Sequence, residues 1–182
     1  GFLADGQPQP PQRAACDLGA VVDELVRLVE PACRHRKVQL EVDSDGGNLR
    51  LLADAEQLRQ LLMNLVLNAI EAAAPDGWVR IELAGEVADR VRLRVCDSGA
   101  GPSAEIVDRL FEPFQTTKSE GVGLGLAVAR QIATAHAGTL VLAGSPLAKN
   151  GPTCFELSLP RGTTARSLTA ERANTREVTI GP

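Results

Sequence analysis

The sequence predicts an α+β protein, a two-layer sandwich of sheet and helix. Three observations point there. Apolar residues recur at helical spacing in two long stretches, Leu18 to Val29 and Leu58 to Ala69. Two short runs that alternate apolar and polar, Val79 to Ala84 and Val91 to Cys96, are separated only by a polar turn. A third helical stretch, Val122 to Ala137, leads into two further strand-like runs.

Taken in order, Gln7-Pro8-Gln9-Pro10-Pro11-Gln12 reads as a stiff, extended linker, with Gly1 to Ala4 as the tail of an earlier element. Asp17 is placed to cap a helix whose stripe is Leu18, Val21, Val22, Leu25, Val26, Leu28 and Val29. Pro31 then kinks that helix or opens a second helical stretch. Val38 to Val42 is a strand, Asp43 to Asn48 a turn and Arg50 to Ala53 a short strand. Asp54 with Gln57 three residues later makes a capping-box start for a long helix that ends near Ala74-Pro75-Asp76-Gly77. After the two alternating strands, Ser103 to Leu110 is a short helix and Phe111 to Glu120 is irregular. The helix over Val122 to Ala137 is ended by Gly138. Thr139 to Ala143 and Cys154 to Leu159 complete the sheet, and residues 161–182 are polar enough to be a disordered tail.

The bulk numbers exclude several classes. The chain has 182 residues, room for one domain with a sizeable core plus trailing segments. The net charge is -4 with scattered basic residues, which argues against a nucleic-acid surface. Hydrophobic content is 44% and aromatic content only 3%, so the core is built from Leu, Val, Ile and Ala. Apolar runs are short and broken by charge, giving no membrane-spanning helix, and the first residues lack a signal-peptide pattern. Cys16, Cys33, Cys96 and Cys154 are far apart, with no C-x-x-C pair, and read as buried thiols in a reducing compartment rather than disulfides or zinc ligands.

Four polar motifs carry the chemistry. Asn64 and Asn68 lie four apart and share one face of an apolar helix, where two amides need partners. Amide oxygen with water and phosphate suits a hard cation such as magnesium. Asp97 ends a buried strand, where a carboxylate must accept strong hydrogen bonds or shift its pKa. Gly99 and Gly101 remove side chains just beyond it, so a flat ring can approach the backbone. Gly121, Gly123 and Gly125 alternate at a helix mouth, exposing N–H groups to an anion, with Lys118 upstream as a point charge. No P-loop or dinucleotide-binding fingerprint is present. Phe111-Glu112-Pro113-Phe114 with Thr116-Thr117-Lys118 lies between these glycines and Asp97.

In this order the motifs resemble the ATP-binding catalytic domain of two-component sensor histidine kinases, in the superfamily of gyrase, heat-shock chaperone, histidine kinase and MutL, with similarity to its nitrogen-regulation-type subgroup. Asn64 to Ala69 resembles the N-box, Asp97 to Gly101 the first glycine box, Phe111 to Phe114 the F-box and Gly121 to Leu126 the second glycine box. The resemblance implies the Bergerat ATP-binding fold, a mixed sheet layered against three main helices. It implies that Asn68 binds magnesium with Asn64 supporting it, Asn64, Asn68 and Lys118 forming the catalytic set. Asp97 accepts from the adenine amine, assisted by Thr153 through water, with Gly99 and Gly101 lining the base pocket. Lys118 and the amides of Gly121, Val122, Gly123, Leu124 and Gly125 hold the phosphates. Phe114, Thr117 and Leu126 are further nucleotide contacts, and residues 111–120 form a short mobile lid. Two departures stand out. Pro152 replaces the Gly that usually precedes Thr153-x-Phe155, and Glu71-Ala72-Ala73 replaces a Lys-Tyr common after the N-box, removing the cation that would contact phosphate from that position.

Members that hydrolyse ATP carry a Glu general base where Asn64 stands, and an amide cannot take a proton from water. The sequence therefore favours phosphoryl transfer to a protein side chain. His35 lacks the acidic neighbour and downstream Pro of a phosphoacceptor, and His136 lies at a helix end where capping is the ordinary role. The expectation is a fragment: residues 1–16 a linker from an absent dimerisation and phosphoacceptor domain, 17–160 the catalytic domain, 161–182 the tail. Expected partners are ATP or ADP, that missing domain and a downstream response regulator, with no nucleic acid. The fragment is expected to be a monomer, the full protein a homodimer, in the cytoplasm or as the cytoplasmic part of a membrane-anchored sensor. A nucleotide-gated regulator, a hydrolytic ATPase and a serine-phosphorylating anti-sigma factor are the competing readings.

Overall fold

A mixed five-stranded sheet with helices packed on one face organises the protein, as the alternation of its strands predicts. The computed structural model describes residues 3–4, 7–85, 89–113, 125–147, 149 and 151–162. Phe114, Thr117, Lys118, Gly121, Val122, Gly123, Leu124 and residues 163–182 therefore lie outside the described residues.

The chain begins with β1 (Leu3–Ala4) and β2 (Gln7–Pro8), a short antiparallel pair. The predicted linker does not stay free of the domain. Its last residues form β3 (Ala14–Asp17), a strand that the composition did not reveal. Helix α1 (Leu18–Arg36) starts at Asp17, whose carboxylate accepts from the N–H groups of Gly19 and Ala20. Pro31 does not open a second stretch but lies inside α1, with Val29 and Cys33 buried either side of it. The helix closes at Lys37, which takes the left-handed conformation at φ 55°.

Strands β4 (Gln39–Ser44) and β5 (Arg50–Ala53) follow, β5 pairing antiparallel with β3. Helix α2 (Ala55–Ala73) is capped by Asp54, which accepts from Gln57 N–H at 3.2 Å. The reciprocal half of the expected capping box is replaced. Gln57 turns its amide to Gln9 C=O at 2.9 Å, and Asp54 N–H donates to His136 Nε2 at 3.1 Å. The predicted stripe of Leu58, Leu61, Leu62, Leu65 and Ala69 is buried, while Leu67 on another side is 41% exposed.

The rest of the sheet comprises β6 (Trp78–Ala84), β7 (Arg90–Asp97), β8 (Thr139–Gly144) and β9 (Thr153–Pro160), in spatial order β4-β6-β7-β9-β8. Only β4 and β6 run parallel. Val79, Ile81 and Leu83 point into the core between sheet and helices, and the residues between them point away. That outer face is polar, with Arg94 bridging Glu82 and Glu156.

Four expectations need correction. Ser103 to Leu110 forms turns and one 3₁₀ turn at Val107–Arg109, without a side-chain cap to nucleate a longer helix. Helix α3 (Gly125–Ala135) is not ended by a left-handed Gly138. Ala137 takes that conformation at φ 57°, and Gly138 is required because a Cβ there would lie 2.5 Å from Ser158 O. Cys96 and Cys154 are not free thiols but a disulfide, since the β7–β9 register sets them directly opposite; Cys16 and Cys33 remain free. Arg161, read as the first tail residue, is 7% exposed, its guanidinium donating to the carbonyls of Arg50 and Gly85.

Candidate nucleotide site

Five of the candidate residues, Asn68, Asp97, Gly101, Leu126 and Thr153, line one cleft of about 400 Å³ between the end of α2, the ends of β7 and β9, and the start of α3. Asp97 lines it as the last residue of β7, and its register partner Thr153 lines it as the first residue of β9. Asp97 is 1% exposed. Its Oδ1 accepts from Gly99 N–H at 2.8 Å, and among the described residues Oδ2 takes no hydrogen bond. Burial raises its carboxyl from the ordinary 3.8 to about 6, with the Gly99 N–H pulling the other way. At neutral pH the cleft thus presents an ionised acceptor with one oxygen unpaired, a ready partner for an N–H donor.

The first glycine motif shapes the wall. A Cβ on Gly99 would lie 2.5 Å from Ala72 O, so only glycine lets this loop pack on the end of α2. Gly101 has φ +79°, and a Cβ there would meet Thr153 Oγ1 at 2.9 Å. Thr153 itself reaches Gly99 O by a long bond of 3.5 Å.

The two asparagines divide. Asn68 lines the cleft. Asn64, a turn earlier, instead donates its amide to Gly125 O at 3.2 Å and so ties α2 to the first residue of α3. Leu126 of α3 lines the cleft beside Asn68. Residues that sequence reasoning did not assign also line it, notably Arg36, Glu71, Ala72, Ile106, Leu110 and Phe155. Phe155 carried a signal in the Thr153-x-Phe155 spacing, and Phe111 packs edge-on against it at 6.1 Å. Arg36 carried none, because it sits on α1, far from every motif.

The model for histidine kinase-, DNA gyrase B- and HSP90-like ATPases matches residues 53–163, more than half of the chain and all four motifs. The chain belongs to this family. Among curated relatives of this ATPase domain, sensor histidine kinase ZraS of Escherichia coli K12 is 38% identical over 129 residues, 71% of this chain and 28% of that protein. The C4-dicarboxylate transport sensor protein DctS of Rhodobacter capsulatus is 37% identical over 156 residues, 82% of this chain and 23% of that one. The chain thus spans under a third of the length of these relatives. The solved catalytic domain of histidine kinase ThkA superposes with a TM-score of 0.74 at 30% identity, covering 82% of this chain and 96% of that domain. ThkA in complex with response regulator protein TrrA gives 0.71 at 28% identity, over 84% of this chain and 42% of that one. The ATPase family membership accounts for the α+β architecture and for the order of the four motifs.

Proposed function

We propose that this chain is the ATP-binding catalytic domain of a two-component sensor histidine kinase, moving the γ-phosphoryl group of ATP to a histidine on a dimerisation domain outside it. The observation that carries this reading is the pairing across one cleft of a buried acid with a free oxygen, Asp97, and an amide on the facing helix, Asn68. Asp97 Oδ2 accepts from the adenine exocyclic amine, and Thr153 assists beside it. Gly99 and Gly101 leave the wall flat enough for the ring.

Asn68 offers an amide oxygen to magnesium. Among the described residues no three or more His, Cys, Asp or Glu side chains converge, so the donor set suits an ion that keeps phosphate oxygens as co-ligands. A magnesium ion held there would supply charge neutralisation to the phosphate oxygens. Asn64 holds the start of α3, the helix that the second glycine motif opens. Lys118 and the amides from Gly121 to Gly125 complete the phosphate contacts in this reading. Catalysis is then mostly positioning and charge neutralisation.

One feature favours transfer over hydrolysis, and a second bears on where the acceptor lies. Asn64 is an amide without proton affinity at the position a hydrolytic base would take. His136 is a poor acceptor within the chain, being 4% exposed with both ring nitrogens engaged, Nδ1 by Ile132 O and Nε2 by Asp54 N–H. His35 lacks the acidic neighbour and downstream Pro of a phosphoacceptor, so in this reading the acceptor belongs to another domain, and a response regulator is the downstream partner. The test mixes the chain with γ-labelled ATP, magnesium and a separately prepared histidine-bearing dimerisation domain. Acid-labile label on that domain is the expected result. Acid-stable label, or free phosphate with no labelled protein, would overturn the reading.

A further inference from the structure

Two carboxylates of this chain, Asp97 and Glu71, border the cleft, and among its described lining residues only Arg36 is cationic. From Asn64 to Ala73 helix α2 carries no Lys or Arg. Among the described lining residues the positive charge comes instead from the last residue of α1. That distant residue is held at the cleft by backbone ties between the two helix ends. Asp76 N–H donates to Lys37 O at 2.9 Å, and Gln39 N–H donates to Gly77 O at 3.0 Å.

A basic residue at a helix C-terminus ordinarily needs no account beyond the helix dipole. That account fits Arg34 and Arg36 equally, yet the two differ. Arg34 is paired with Glu30 at 3.1 Å and does not border the cleft. Arg36 borders it, is exposed, and among the described residues makes no hydrogen bond or ion pair. A polyphosphate entering this cleft brings further negative charge close to Asp97 and Glu71. A guanidinium answers this well, since its planar fork donates to two phosphate oxygens at once.

We propose that Arg36 is a phosphate-contacting, specificity-determining residue, reaching from α1 to select adenosine polyphosphates over the bare nucleoside. The proposal rests on the nucleotide reading of the same cleft. Calorimetry with adenosine, ADP and ATP separates the two claims. In Arg36→Ala the affinities for ADP and ATP should fall about tenfold while that for adenosine stays within about twofold. Arg36→Lys, which keeps the charge but loses the fork, should recover part of the loss, and Arg34→Ala should change none of the three. An unchanged ratio of ATP to adenosine affinity in Arg36→Ala overturns the proposal, whether both affinities hold or both fall together. A parent chain that binds neither adenosine nor ATP sinks the nucleotide reading itself, and this inference with it.

Discussion

Asp97 and Thr153 are direct partners across β7 and β9, and the next pair inward, Cys96 and Cys154, is a disulfide. The acid and the hydroxyl that face the cleft are thus fixed by sheet register and by a covalent link one residue away. In the proposed reading the base lies against this paired and cross-linked part of the sheet.

Replacing Asp97 with Asn keeps the shape of the side chain and swaps an acceptor for a donor. The Asp97→Asn variant should bind adenosine and ATP about 1–3 kcal/mol more weakly, the usual cost of spoiling a buried hydrogen bond. Isothermal calorimetry on both ligands reads this. Equal losses for the two are expected, since the contact is to the base.

The raised carboxyl pKa gives the same residue a pH signature. In the empty protein Asp97 keeps its proton up to about 6, whereas the unfolded chain releases it near 3.8. The native state binds more protons in that window, so this group's contribution to stability is present below it and is lost as pH rises through about 6. Ligand binding runs the opposite way, because the adenine amine needs the ionised form. Adenosine, which has no phosphates to titrate, should bind more weakly as pH falls below about 6. In Asp97→Asn this slope should vanish.

Legibility in the sequence followed the range of the interaction. The α2 stripe from Leu58 to Ala69 and the caps Asp17 and Asp54 are local, governed by helical period and a three-residue reach, and the structure keeps them. Asp97 and Asn68 were legible as chemistry out of place in apolar elements. The Cys96–Cys154 bond was not, because it joins residues 58 apart through a strand register that no local pattern encodes. Arg161 looked like tail for a similar reason: its carbonyl partners, Arg50 and Gly85, lie on distant segments. Asn64 reads as supporting Asn68, and the bond from its amide nitrogen to Gly125 O was not legible, since it depends on how α3 crosses α2.

Gly101 combines a positive φ of +79° with a wall of side chains, Thr153 Oγ1 at 2.9 Å and Ser145 Oγ at 3.2 Å from any added Cβ. Gly101→Ala should cost about 1–2 kcal/mol from the left-handed backbone alone. Urea denaturation measures that loss. Adenosine affinity should drop as well, since Thr153 must move to admit the methyl group.

His136 links the end of α3 to the cap of α2, and its neutral form is the only one that accepts from Asp54 N–H. Burial holds its pKa below the ordinary 6.5. The unfolded chain therefore binds the extra proton first as pH falls, and stability present above 6.5 is lost on the acid side. His136→Leu should lower stability by about 1–3 kcal/mol at pH 7, because Asp54 N–H loses its acceptor. The variant should also lack the parent's extra loss between 6.5 and the lower native value. A parallel pair of stability curves would mean that His136 does not titrate on unfolding.

Asn68 and Arg36 both line the cleft, but magnesium tells their proposed roles apart. An amide oxygen attracts a hard cation, and a guanidinium repels it. In the parent, adding magnesium should tighten ATP binding and leave adenosine binding unchanged. Asn68→Ala should erase that gain, with adenosine affinity within about twofold of the parent. Arg36→Ala should weaken ATP yet preserve the response to magnesium. An Asn68→Ala protein whose ATP affinity still rises with magnesium as in the parent would remove Asn68 as the ligand.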